Sequence, residues 1–239
     1  MRESLNIAAV LFDLDGTLLD TAPDLIQALN ATLSEIGLPA CPADEVKPYI
    51  SGGARAMLGF GHARASGKVP ADYPAPNPLP EGEDDAWLQR MLELYQTNVA
   101  VHTCFFDGIE TVLETLERHG LPWGIVTNKH SRFTDPLAEA LNLTRRSGCI
   151  ISGDTTAHAK PHPLPLLEAS RRLGQSPERC VYLGDAARDV EAGKRAGMAT
   201  LGALYGYVSA ADDPRSWGAD GLLTAPGDLL TWLFGGECI

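Results

Sequence analysis

The sequence predicts an α/β protein with a mostly parallel sheet and a helical insertion, and three patterns carry that expectation. From Val101 onward, short apolar runs alternate with segments of helical periodicity, the mark of βαβ units. An apolar run of the same kind, Ile7 to Phe12, stands alone near the start of the chain. Between them, the stretch from about Pro23 to Val99 reads as mainly helical. In parallel sheets ligands bind at the carboxyl ends of strands, near a reversal of strand order.

The first run has the length and β-branched character of a buried strand and ends in Asp13-Leu14-Asp15-Gly16. If both carboxylates face one side of the strand end, like charges lie within a few ångströms. One pKa then rises unless a cation is present. Oxygen ligands of this kind suit Mg²⁺.

Thr21-Ala22-Pro23-Asp24 supplies an N-cap candidate, an early proline and an acidic first turn. Leu25, Ile26, Leu29, Leu33 and Ile36 then recur at helical spacing until Gly37. A short helix is expected over Ala43 to Ile50, followed by a loop, Ser51-Gly52-Gly53-Ala54-Arg55, with a hydroxyl and a guanidinium suited to reading a substrate. From Ser66 to Asp85 the close run of Pro70, Pro74, Pro76, Pro78 and Pro80 excludes a helix or a central strand, so an exposed loop is expected. It is either a lid or partner motif or a solvated insertion. Trp87, Leu88, Met91, Leu92, Leu94 and Tyr95 form the apolar face of a helix over Ala86 to Ala100.

Beyond Val101 the expected helices are Ile109 to His119, Ser131 to Leu141, Pro163 to Leu173, Ala187 to Ala196 and Asp228 to Phe234. The expected strands are Pro122 to Val126, Cys149 to Ser152, Cys180 to Gly184 and Ala199 to Leu204. Polar groups gather where these strands stop: Asp13 with Asp15, Thr127, and Asp185 with Asp189. Lys160 stands on the loop before a helix. Converging carboxylates hold a cation, while an ammonium and a hydroxyl hold an oxyanion. Taken singly, each has a plainer reading: Asp189 an N-cap, Lys160 a surface lysine, Thr127 a turn residue.

Composition narrows the partners. With 239 residues, 44% hydrophobic, the chain can bury a good core. A net charge of -12 disfavours nucleic-acid binding but not a small anion in a locally basic pocket. Cys41, Cys104, Cys149, Cys180 and Cys238 are scattered, with no CxxC. Cys149 and Cys180 are expected as reduced core residues. No secretion signal or apolar run of membrane-spanning length is visible, so a cytoplasmic protein without membrane partners is expected, as monomer or homodimer.

Asp13-Leu14-Asp15-Gly16-Thr17, Thr127, Lys160-Pro161 and Gly184-Asp185 with Asp189 match in order the four motifs of the haloacid dehalogenase-like phosphohydrolases, a family that this chain resembles over nearly its whole length. The resemblance implies a Rossmann-like core, residues 1–21 and 101–239, with an all-helical cap, residues 22–100, carrying the Pro-rich loop at 66–85. It implies a phosphoric monoester hydrolase in which Asp13 is the nucleophile and Asp15 the general acid and base. Thr127 and Lys160 would bind phosphoryl oxygens. Mg²⁺ would be held by Asp13, the Asp15 carbonyl and Asp185, with Asp189 either a ligand or an acceptor behind them. The segment Gly184-Asp185-Ala186 departs from the pattern in lacking a hydroxyl after the aspartate.

Within the family, Val126-Thr127-Asn128-Lys129 and Lys160-Pro161-His162-Pro163 look most like bacterial phosphoglycolate phosphatases. Ser51-Gly52-Gly53-Ala54-Arg55-Ala56-Met57 also resembles the allied N-acetylmuramic acid 6-phosphate phosphatases. Both substrates are small carboxylated phosphomonoesters, so Ser51, Gly52, Gly53, Arg55 and Asn128 join Thr127 and Lys160 as expected substrate contacts, with Arg55 able to pair a carboxylate. A phosphomutase and a non-enzymatic binding protein are the remaining alternatives.

Overall fold

The computed structural model describes residues 6–67, 84–208 and 212–235. In chain order the first half holds β1 (Ala9–Phe12), β2 (Leu19–Asp20), α1 (Ala22–Glu35), α2 (Ala43–Ile50), α3 (Gly53–Ala65), α4 (Asp84–Thr97) and β3 (Cys104–Phe105). There follow α5 (Ile109–Arg118), β4 (Trp123–Val126), α6 (Ser131–Ala140), α7 (Leu143–Arg146), β5 (Ile150–Ile151) and α8 (Leu164–Arg172). The chain continues through β6 (Cys180–Gly184), α9 (Ala187–Arg195), β7 (Ala199–Ala203), β8 (Gly221–Leu223) and α10 (Asp228–Phe234).

Two compact units result: Met1–Leu19, Phe105–Gly206 and Pro214–Ile239 form one, Asp20–Cys104 with Tyr207–Asp213 the other. In the first, six strands in the order β5-β4-β1-β6-β7-β8 pair in parallel, the α/β architecture expected of the sequence. The order runs outward from β1 in both directions, so the connection from β5 to β6 is where it reverses. β1 is central because it can be: all four of its residues are buried, as befits a strand covered on both faces. Burial of Leu11 and Phe12 contributes about 1.5–3 kcal/mol each. Phe12 meets Trp123 edge-on at 6.2 Å, locking β1 to β4.

In the helical unit, α1 packs on α2, α3 and α4. Asn30 exchanges hydrogen bonds with the Cys41 backbone, at 3.1 and 2.8 Å, and so fixes the connection from α1 to α2. Tyr49 of α2 stacks on Phe60 of α3 at 4.4 Å. Asp24, fully buried in the first turn of α1, accepts from the amides of Val101, His102 and Thr103 and from the Thr103 hydroxyl at 2.7 to 3.1 Å. Its role is therefore to tie the end of the helical segment to its beginning.

Five expectations change. The stretch Ser51 to Arg55 is not an extended loop: α3 begins at Gly53, and its Met57, Leu58 and Phe60 are buried. Burial of that face outweighs the helix-breaking glycines, and Gly61 has a packing reason, since a Cβ there would lie 2.9 Å from Leu33 of α1. The strand expected over Cys149 to Ser152 shrinks to Ile150–Ile151, and the first strand begins two residues later than Ile7, at Ala9. The short elements β2, β3, β8 and α7 were not expected, because two to four residues carry no readable period. Thr21 occupies the N-cap position of α1 but makes no side-chain cap bond. Most of the Pro-rich stretch, residues 68–83, lies outside the described residues, as does Cys238. Cys149 and Cys180 are buried thiols, while Cys104 is exposed. Among the described residues no helix is long and apolar enough to cross a membrane.

Candidate active site

The site grows from the carboxyl ends of three neighbouring strands. β1 delivers Asp13, whose amide donates to the Leu183 carbonyl of β6 at 2.8 Å and whose Oδ1 accepts from the Leu14 amide at 2.7 Å. β4 delivers Thr127, and β6 delivers Asp185. Asp189 stands in the first turn of α9, its Oδ2 accepting from the Ala186 amide at 3.1 Å. Asp189 is therefore not the N-cap: Ala186 holds that position, and Asp189, three residues on, reaches back to its amide with one of its two oxygens. Gly184 makes room for it: a Cβ there would lie 2.5 Å from the Asp189 Cβ.

Lys160 is not a surface lysine. Its side chain is fully buried, with Nζ 2.9 Å from Asp13 Oδ1 and 2.8 Å from Asp189 Oδ1. The Tyr182 hydroxyl lies 2.7 Å from the same nitrogen and itself donates to the Val126 carbonyl at 2.8 Å. The ammonium thus faces four oxygens, those of Asp13, Asp189 and Tyr182 and, at 3.1 Å, the Val126 carbonyl. Asn128 holds the Lys160 backbone in a reciprocal pair, 2.9 Å in each direction, so the Asn128 side chain is committed to the loop that carries the lysine. Thr127 Oγ1 accepts from the Lys129 amide at 3.2 Å, which leaves its proton to donate.

Electrostatically the centre is acidic and buried. Oxygens of Asp13, Asp185 and Asp189 lie within 4.8 Å of one another, and all three residues are buried. Burial pushes the Asp13 carboxyl up to about 6; Lys160 opposes the rise and Asp189 adds to it. The crowding expected between Asp13 and Asp15 therefore occurs instead between Asp13 and Asp189, because the Asp15 side chain reaches Lys129, 2.8 Å away. An oxygen-only cluster of three carboxylates, only two of which Lys160 bridges, fits a hard divalent cation.

Three participants were not singled out from the sequence. Tyr182 read only as an apolar strand residue, and burial together with Asp189 and Asp13 holds its phenol well above the ordinary value, hence neutral. Arg188 is resisted by burial, yet Asp189, Asp13 and Asp185 raise its pKa, and its Nε is buried without a hydrogen-bond partner. Lys129 stands out in the sequence only as part of the Val126-Thr127-Asn128-Lys129 motif. Their common signal was position: each lies within two residues of a motif residue or on a strand that carries one.

Of the expected substrate contacts, Ser51, Gly52, Gly53 and Arg55 lie in the helical unit, at the turn after α2 and the first turn of α3. The Arg55 guanidinium is paired with Asp85 at 2.8 Å on an exposed face.

Comparison with known proteins agrees with this geometry. The profile of the haloacid dehalogenase-like hydrolases matches residues 10–203. The chain belongs to that family. A phosphoglycolate phosphatase of Xanthomonas campestris pv. campestris is 42% identical over 223 residues, 92% of this chain and 94% of its own. An N-acetylmuramic acid 6-phosphate phosphatase of Pseudomonas putida is 40% identical over 225 residues, 94% of this chain and 95% of its own. Among solved structures, a predicted phosphoglycolate phosphatase from Haemophilus somnus superposes with a TM-score of 0.80 at 24% identity, covering 95% of this chain and 97% of that one. The latter supports the fold alone.

Proposed function

We propose that the chain is a Mg²⁺-dependent phosphatase of small carboxylated phosphomonoesters, with 2-phosphoglycolate as the first substrate to test. The observation that carries this reading is the buried Lys160 bridging Asp13 and Asp189 at the strand ends. It sets a cation beside a carboxylate nucleophile, where a phosphoryl group brings more negative charge. The relatives' names supply the substrate class.

Both donors to Asp13 converge on Oδ1, which holds the carboxylate in one orientation for in-line attack. Asp13 attacks phosphorus, the bond from phosphorus to the leaving oxygen breaks, and Asp15 gives that oxygen a proton. Asp15 then takes a proton from the water that attacks the aspartyl-phosphate, releasing inorganic phosphate and restoring Asp13. Thr127 and Lys160 bind the equatorial oxygens, Lys160 by turning a proton from one of its present acceptors to the phosphoryl group. Asp13, Asp185 and the Asp15 carbonyl would hold Mg²⁺, which when bound neutralises phosphoryl charge. Asp189 already serves Lys160 and the Ala186 amide, and stands behind the metal ligands. In this reading Asn128 orients Lys160, and substrate contacts of Ser51, Gly52, Gly53 and Arg55 require Arg55 to exchange Asp85 for the substrate carboxylate.

A second reading, hydrolysis of N-acetylmuramic acid 6-phosphate, is favoured by relatives of nearly equal identity. Parallel kcat/KM values for the two substrates, with Asp13→Asn as the blank, decide between them. Turnover of aryl phosphate with neither natural substrate cleaved would retain the phosphatase and discard both assignments.

A further inference from the structure

Two lysines divide the Asp13-Leu14-Asp15 pair between them. Lys160 takes Asp13, as described; Lys129 takes Asp15, with Nζ 2.8 Å from Oδ1. The Lys129 side chain is 8% exposed and that of Asp15 20%, so this pair is shielded from water in a way that surface pairs are not. Its geometry is set from the backbone outward. The Lys129 amide donates to Thr127 Oγ1 at 3.2 Å, and its carbonyl accepts from the Gly153 amide at 2.8 Å and from the Thr134 hydroxyl at 3.3 Å. The preceding residue, Asn128, is pinned to Lys160. The segment that presents Thr127 to the phosphoryl group is therefore the one that presents an ammonium to Asp15.

We propose that Lys129 is the positioning residue of Asp15. The inference rests on the phosphatase reading, in which Asp15 must meet first the leaving oxygen and then the attacking water. Both encounters need a carboxyl held within hydrogen-bond reach, and the ion pair at Oδ1 supplies that hold. A short bond from an ammonium to a carboxylate is strong enough to select one rotamer. Lys129 acts through Asp15 and not through the substrate, so its removal should lower kcat and leave KM nearly unchanged.

The test uses the full chain with Mg²⁺ and two substrates without a carboxylate, p-nitrophenyl phosphate and β-glycerophosphate. Lys129→Met should lower kcat roughly 10- to 100-fold, more for the alkyl ester, whose poorer leaving group depends more on the acid, with KM within about threefold. Lys129→Arg should recover part of the rate. In Asp15→Asn, adding Lys129→Met should cost nothing further, since residues acting as a unit are not additive. Full additivity in that double variant, a loss confined to KM, or wild-type kcat in Lys129→Met would each overturn the inference while wild-type turnover keeps the phosphatase reading. A wild-type enzyme inert towards both esters, 2-phosphoglycolate and N-acetylmuramic acid 6-phosphate would remove both.

Discussion

Asp13 and Asp24 are buried to nearly the same degree, at 4% and 0% exposure, yet their surroundings are opposite. Asp24, in the helical unit, meets three backbone amides and a hydroxyl, and no acid shares its site among the described partners. Asp13, in the sheet unit, meets one amide and one ammonium, but Asp189 and Asp185 crowd it. Neutral donors wrapped around one carboxylate make a structural tie. Too few donors, and competing acids, leave the other as the carboxylate to which the proposed function gives cation binding and attack on phosphorus. A carboxylate that ties the fold together thus differs in its surroundings from the one to which the proposed function assigns chemistry.

The contrast is broken most completely by Asp13→Asn, which should cost at least about 10⁴-fold in kcat while circular dichroism remains native. Gly184→Ala should come next: its Cβ would collide with Asp189, and displacing that carboxylate loosens Lys160. A loss of about 10²-fold in kcat/KM is expected, measured beside the wild type at saturating Mg²⁺.

Asp24→Ala acts on the other side of the comparison. It strips partners from the buried Thr103 amide and hydroxyl and from the amides of Val101 and His102, and should destabilise the protein by about 2–4 kcal/mol in urea unfolding, with kcat per folded molecule within about twofold. A kcat loss matching that of Asp13→Asn would end the division of roles.

The finest test uses pH. Because the folded protein holds the Asp13 proton more firmly than the unfolded chain does, its contribution to metal-free stability falls as pH rises from 3.8 through about 6, then levels. Other carboxylates, such as Glu168 held down to about 2 by its hydrogen bonds to Arg171 and Arg172, act in the opposite direction, so the difference between variants is the useful quantity. In EDTA, Asp13→Asn should equal the wild type near pH 4 and exceed it by about 1–3 kcal/mol at pH 7. Saturating Mg²⁺ should erase the advantage.

By itself the sequence determined the run of elements that frame the sheet and the residues that terminate its strands. Apolar runs such as Val10-Leu11-Phe12 and Cys180 to Gly184 must be buried wherever they fold, and an aspartate directly after such a run is carried to the strand end. Asp13, Thr127 and Asp185 were therefore legible, and Lys160 and Asp189 became so through the order of the motifs. Tertiary structure alone decided who pairs with whom. That Lys160 bridges Asp13 and Asp189, that Lys129 and not a metal site receives the Asp15 side chain, and that Tyr182 and Arg188 join the centre depend on strand order and on loops pinned by residues far apart in sequence. The same holds for Asp24, an apparent helix-start acid whose partners lie more than seventy residues away. Local periodicity sets where a residue sits along its element, whereas the partners that fix its charge and rotamer come from other elements, and no local pattern encodes their arrival.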